Sequence, residues 1–227
     1  MTGAVTRWIP TVFGVMIVGA LIAGWFFVFE RGGADSDDAA SGSNRAAGPP
    51  AIPELFMQAY VNAADRVAER SPNCTGLRWA VLAGIGAVES GHARGATVSA
   101  NGDVTPRIIG PRLDGSGVGG NLTPIPDTDG GLLDGDEEFD RAVGPMQFLP
   151  TTWERWSRDG NDDGVIDPHN IFDAALAAAA FLCGPGTADL AVRVQLTQAI
   201  RRYNRSDSYV SEVLSNADAY TVGRTPN

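Results

Sequence analysis

The sequence predicts a mainly α-helical domain that carries one long Gly-, Asp- and Pro-rich insertion and is preceded by a single transmembrane helix. Three observations predict this. Apolar residues recur at spacings of three and four in several separate stretches, which is the mark of helices with one buried face. Residues 95 to 140 show no such period. Ile9 to Phe29 (IPTVFGVMIVGALIAGWFFVF) is an apolar run without a charge. A chain of 227 residues has room for one ordinary domain besides these additions.

At 1.5 Å per residue the apolar run covers roughly 30 Å, the thickness of a hydrocarbon core, whereas a cleavable signal has an apolar region of only about 7 to 15 residues. Residues 1–30 therefore read as an uncleaved anchor, with Arg7 ahead of the run and Glu30 and Arg31 behind it. Residues 31–50 (RGGADSDDAASGSNRAAGPP) are small and polar, and a flexible coil of that length spans about 25 Å, so the domain works close to the membrane. The domain itself is expected over 51–222, with a short tail at 223–227.

Ile52, Leu55, Phe56, Ala59, Tyr60, Ala63 and Val67 predict the first helix, closed by Arg70, Ser71 and Pro72. Leu77 to Val88 predicts a second, too apolar to need the charge of Glu89 that follows it. The long insertion comes next, with Arg107 to Ile109 as a candidate strand. Further helices are expected at Thr151 to Ser157, at the Ala-rich Asp173 to Leu182, at Thr187 to Tyr203 and at Ser208 to Ser215.

Cys74 and Cys183 are the only cysteines, one just before a predicted helix and the other at the end of a distant one, and neither has a metal-type CxxC spacing. The arrangement suits one structural disulfide worth on the order of 4 kcal/mol, the alternative being two buried thiols. A bridged pair places the domain outside the membrane. The flanking charges do not decide orientation, since Arg7 and the amino terminus face Arg31 and Arg45. With 27 acidic against 17 basic residues and no basic cluster, nucleic acid is excluded as a partner.

Glu89 is the first candidate for chemistry. Apolar surroundings raise a carboxyl pKa, and a glutamate kept protonated near neutral pH can donate its proton to a leaving oxygen. A solvated glutamate at a helix end is the other reading, and spacing alone favours it. The string AVGPMQFLPTTW is the second candidate. Gln147 offers a donor and an acceptor, Phe148 and Trp153 offer flat faces for sugars, and Thr151 or Thr152 is the expected cap of the next helix. The third is DGNDDGVIDPHNIFD, which places oxygen ligands at calcium-loop positions 1, 3, 5 and 9 (Asp159, Asn161, Asp163, Asp167). Gly164 is at position 6 and the Val165 carbonyl at 7. Position 12 departs, because Asn170 stands where a bidentate Glu belongs; Asp173 is the candidate for the last ligand. A metal-free run of Asx turns is the alternative. Asp127, Asp129, Asp134 and Asp136 lack the spacing and read as turns.

Glu89 in AVES, Gly144 to Pro150 as GPMQFLP, and Tyr203 with Asn204 in RRYN occur in this order. In these motifs the chain resembles lytic murein transglycosylases of the membrane-bound B type, over about Ile52 to Tyr220. The resemblance implies an α+β lysozyme-like fold. It also implies cleavage of the β-1,4 bond between N-acetylmuramic acid and N-acetylglucosamine in peptidoglycan, leaving a 1,6-anhydro end. Glu89 would act as acid and then as base, Gln147 and Phe148 would line the sugar cleft, and Tyr203 and Asn204 would form its other wall, with the Tyr203 hydroxyl near Glu89. The family carries an extended loop like 159–173, which implies structural calcium and no organic cofactor. Asp140 is the loop acid that would serve if a partner carboxylate were used. His92 reads as a polar residue at the cleft rim. A lysozyme-type hydrolase and a non-catalytic wall-binding scaffold are the competing readings.

Overall fold

The structure, a computed structural model, describes residues 48–222. The expected anchor, most of the tether and the tail lie outside the described residues, and among those described no helix is long and apolar enough to cross a membrane.

Among the described residues, six helices dominate a mixed helix and sheet architecture. α1 (Glu54–Arg70) buries the predicted stripe Phe56, Ala59, Tyr60, Ala63 and Val67. α2 (Trp79–Ser90) is buried from Ala80 to Gly86. α3 (Pro150–Trp156) is short, and α4 (Ile171–Cys183) is buried along nearly its whole length. α5 (Arg193–Tyr203) and α6 (Asp207–Thr221) complete the set. α4 packs against α1, α5 and α3, while α2 lies between α6 and α1. The alanines of α4 make this possible, because small side chains let neighbouring helices surround it closely.

The strands are short and come in three pairs. β1 (Cys74–Thr75) runs parallel to β6 (Ala188–Asp189), with Cys74 opposite Ala188. β2 (Thr97–Val98) and β3 (Val104–Thr105) form an antiparallel pair, as do β4 (Ile109–Arg112) and β5 (Arg141–Val143). The predicted disulfide is present: Cys74 and Cys183 are bridged, 109 positions apart in sequence with Cα atoms 5.5 Å apart.

Several element boundaries differ from expectation for local reasons. The first strand of the β4–β5 pair begins at Ile109, not Arg107. Neither Thr151 nor Thr152 caps α3: Pro150 occupies its first position, where a missing N–H costs nothing, and Leu149 precedes it without a side-chain cap. α5 starts at Arg193, because residues 188–189 are taken by β6 and a turn closes from the Val192 N–H to the Asp189 carbonyl. α6 continues six residues past Ser215, and the Ser206 hydroxyl accepts from the Tyr209 N–H at its start. The long insertion is built from carboxylates that cap backbone donors. Asp127 accepts from the N–H groups of Asp129, Gly130 and Gly131, and Asp134 from those of Asp136 and Arg141.

Candidate active site

Glu89 lies in the last turn of α2, not beyond its end. It keeps partial exposure, yet burial of its carboxyl among protein atoms raises its pKa from 4.5 to about 8; a hydrogen bond from Tyr209 opposes that rise. The Tyr209 O–H donates to Glu89 Oε1 at 2.5 Å. Tyr209 sits in the first turn of α6, is 5 % exposed, and has its own pKa raised well above the ordinary value by burial and then by the nearby glutamate. It is therefore a fixed donor. Sequence reading missed it. The Tyr203 hydroxyl, expected near Glu89, donates to the Met146 carbonyl at 2.6 Å and not to the carboxyl, while burial and then the charge of Glu89 raise its pKa.

That bond ties α5 to the GPMQF turn. Gly144 begins the turn at φ +77°, where an added Cβ would come within 1.9 Å of the Pro168 carbonyl oxygen, so only glycine fits. Ser90 closes the turn onto α2 by donating to the Pro145 carbonyl at 2.8 Å. Gln147 is partly exposed at φ +50°; its amide nitrogen donates to the Gly144 carbonyl, and its oxygen lies over Gly110. Phe148 departs from expectation. It is 2 % exposed and wedged between the Trp153 and Tyr203 rings at 5.5 and 5.7 Å, so it is a core aromatic and has no face to offer a sugar. Trp153 and Asn204 are buried too; the Asn204 side-chain oxygen accepts from the Ser206 N–H as α6 begins. Asp140 is fully buried and turned onto Thr128, which donates to it from both N–H and O–H. His92 is not at a rim: it is 2 % exposed, between the hydroxyls of Tyr60 and Tyr220.

The loop 159–173 joins α3 to α4. Gly164 takes φ +83°, the sharp turn expected at the sixth loop position. Asp159 accepts from the Gly164 N–H, Asn161 from Asp163, Asp163 from Val165, and Asp167 from His169. Asp173 reaches back from the first turn of α4 to accept from Gly160 and Asp167. Burial raises the Asp173 pKa to about 6, with the charges of Asp159 and Asp163 adding to the rise. Asp159 Oδ1 is buried without a hydrogen-bond partner, an acceptor left over that a cation would satisfy. The Asn101 side chain donates to Asp163, and Arg66 donates to the Gly160 carbonyl and to Asp162, so the loop is held from α1 and from the insertion. Among the described residues, the one acidic trio with oxygens within 4.8 Å of one another is in the other loop, at Asp127, Asp129 and Asp140.

No family model, no curated protein and no solved structure matches the chain.

Proposed function

We propose that the chain is a lytic transglycosylase that cleaves peptidoglycan glycan strands at the extracytoplasmic face of a membrane, held there by its N-terminal apolar segment. The observation that carries the reading is the state of Glu89. A carboxyl raised to about 8 is mostly protonated at neutral pH, as a general acid must be. Because Oε1 accepts from Tyr209, the acidic proton belongs on Oε2.

In the first step Glu89 Oε2 gives its proton to the glycosidic oxygen as the bond to the muramic C1 breaks. The resulting carboxylate is held by the Tyr209 hydroxyl, a hydrogen bond that strengthens when its acceptor becomes charged. In the second step the carboxylate takes the proton of the muramic C6 hydroxyl as that oxygen attacks C1, which closes the anhydro ring and restores the acid. No partner carboxylate is needed, and Asp140 is committed to Thr128. The motif resemblance and the helix-dominated architecture, with Glu89 at the end of a buried helix, support a lysozyme-like fold.

Gln147 is the residue of the GPMQF turn with an amide at a partly exposed position, and it is the best candidate for a sugar contact. Calcium, held by Asp159, Asn161, Asp163, the Val165 carbonyl, Asp167 and Asp173, would neutralise a crowded acidic loop and pin it to α4. It supplies no proton chemistry.

Digestion of purified peptidoglycan tests the proposal. Mass spectrometry is expected to show muropeptides lighter by one water than hydrolysis products, and Glu89→Gln is expected to release none. Products bearing only reducing ends would make the protein a hydrolase. A Glu89→Gln protein that still solubilises wall would remove Glu89 from the mechanism.

A further inference from the structure

α2 does not end after Ser90 in an ordinary way. Gly91, His92 and Ala93 follow at φ +59°, +59° and +55°, three consecutive left-handed residues of which two carry a Cβ. The chain doubles back: the Gly91 N–H donates to the Ala87 carbonyl, the His92 N–H to that of Gly86, and the Ala93 N–H to the Ser90 hydroxyl. The reversal lays the His92 ring along α2 beside Gly86, where a Cβ would sit 2.0 Å from the Tyr60 hydroxyl and 3.3 Å from His92 Nδ1. Glycine leaves room for both.

The protons around the ring can be assigned one by one. Tyr220 donates its hydroxyl to the Pro50 carbonyl at 2.7 Å, so toward His92 it can only accept. His92 Nε2, 2.9 Å away, therefore carries the ring proton. Nδ1 is then the acceptor for the Tyr60 O–H at 3.0 Å. Every donor has one acceptor when the imidazole is neutral. The groups facing it agree with that form: Tyr60 from α1, Tyr220 from α6 and Arg94 from its own turn, with burial foremost and Arg94 next in lowering the His92 pKa to about 4.

α6 presents Tyr209, Val213, Ala217 and Tyr220 at spacings of four, four and three, one face of a helix. That face lies on α2. In its middle, a Cβ on Gly84 would be 2.4 Å from the Val213 carbonyl oxygen and 3.3 Å from the Ala217 nitrogen, so the two backbones touch directly. A glycine contact brings helices close but has no side chain to resist sliding or rotation. Buried side chains of α6 hold the pair together, and directional ties fix it at the two ends, Tyr209 on Glu89 and Tyr220 on His92, about 16 Å apart along α6.

We propose that His92 is a positioning residue for Glu89: through Tyr220 it fixes the register of α6 on α2, and with it the Tyr209 hydroxyl that holds Glu89 Oε1. The inference rests on the proposed function only in calling Glu89 the catalytic acid. Its test is independent of activity. The groups acting on Glu89 are Tyr209 of α6 and, one element over, Tyr203 of α5.

The carboxyl of Glu89 is followed by carbon NMR in chain labelled at glutamate, with Glu89→Gln giving the assignment. Tyr209→Phe removes the donor that lowers the Glu89 pKa, so the midpoint rises. Tyr220→Phe keeps the His92 turn and changes only a half-buried residue near the end of α6. It is expected to raise the Glu89 midpoint by about half a pH unit or more, and the Tyr209→Phe, Tyr220→Phe double variant is expected to move it no further than Tyr209→Phe alone. His92→Phe should match Tyr220→Phe, while His92→Gln, whose amide still offers one donor and one acceptor, should restore the wild-type midpoint. On peptidoglycan, Tyr220→Phe should lower kcat and leave KM unchanged. A Glu89 midpoint unmoved or lowered by Tyr220→Phe, additive shifts in the double variant, or a His92→Gln shift equal to that of His92→Phe would overturn the proposal. Absence of lytic activity in the wild type would defeat the functional reading and leave the titration result standing.

Discussion

Glu89→Gln should make the protein more stable, and by an amount that depends on pH in a way fixed by one group. The folded state holds the Glu89 proton up to about pH 8, whereas an unfolded glutamate loses it near 4.5. Between those values the folded state binds one proton more than the unfolded, so stability falls as pH rises. At 1.36 kcal/mol per unit over the interval from 4.5 to 8, the wild type loses at most about 4.8 kcal/mol. The same relation gives about 0.8 kcal/mol at pH 5, 2 at pH 6 and 3.4 at pH 7, before any relaxation of the site, which reduces them all. Glutamine has nearly the same shape, keeps an oxygen for the Tyr209 hydroxyl, and does not titrate. Urea denaturation of both proteins at pH 5, 6, 7 and 8 measures the gap directly. Other titrating groups, such as Asp173, occur in both proteins and cancel in the difference. The expected result is a small gap at pH 5 that widens in favour of the variant to at least about 2 kcal/mol at pH 8. A gap that does not change with pH, or one that favours the wild type at pH 8, would refute the claim that burial holds Glu89 protonated.

Lytic activity should fall as pH rises through about 8, where Glu89 loses its proton, and Tyr209→Phe should move that alkaline limb upward, read from kcat against pH. Gly84→Ala places a methyl 2.4 Å from the Val213 carbonyl, so α6 must be pushed off α2. Activity should drop more than tenfold, while the chain loses about 1 to 3 kcal/mol in denaturation. Calcium should raise the melting temperature and a chelator lower it, with Asp159→Asn abolishing the response; equal melting temperatures with and without calcium would count against the site.

The helices were legible because their signal is local. The stripe from Phe56 to Val67 becomes the buried face of α1, and the alanines from 174 onward become the interior of the core. The disulfide was legible as well, from two cysteines without a metal spacing. Boundaries failed where a neighbouring element competed, as at residues 188–189, which pair with β1 when propensity alone would continue α5 toward the N-terminus. The site was half legible. Glu89 stands out as a charge on an apolar helix, but its partner is 120 residues away, in a segment, SDSYVSEVLS, where only a short helix is expected. Extending the helical spacing past Ser215 would have found it, since Tyr209, Val213, Ala217 and Tyr220 share one face. Phe148 misled because an aromatic in a motif shows its chemistry and not its exposure. His92 was unreadable: residue type does not announce three consecutive left-handed residues.

Two features that work against folding meet at the end of α2. One is a carboxyl held among protein atoms and denied its charge, worth several kcal/mol above neutral pH on the scale worked out above. The other is the turn three to four residues on, where His92 and Ala93 hold left-handed backbone at about 1 to 3 kcal/mol each. Glutamine at 89 would relieve the first without loss of shape, whereas the second is held by what the turn packs: the buried His92 ring lies beside Gly86 and bonds the Tyr60 and Tyr220 hydroxyls. Their occurrence within five residues, clamped by hydroxyls from α1 and α6, suits the acid proposed for Glu89, whose proton must be held at one place.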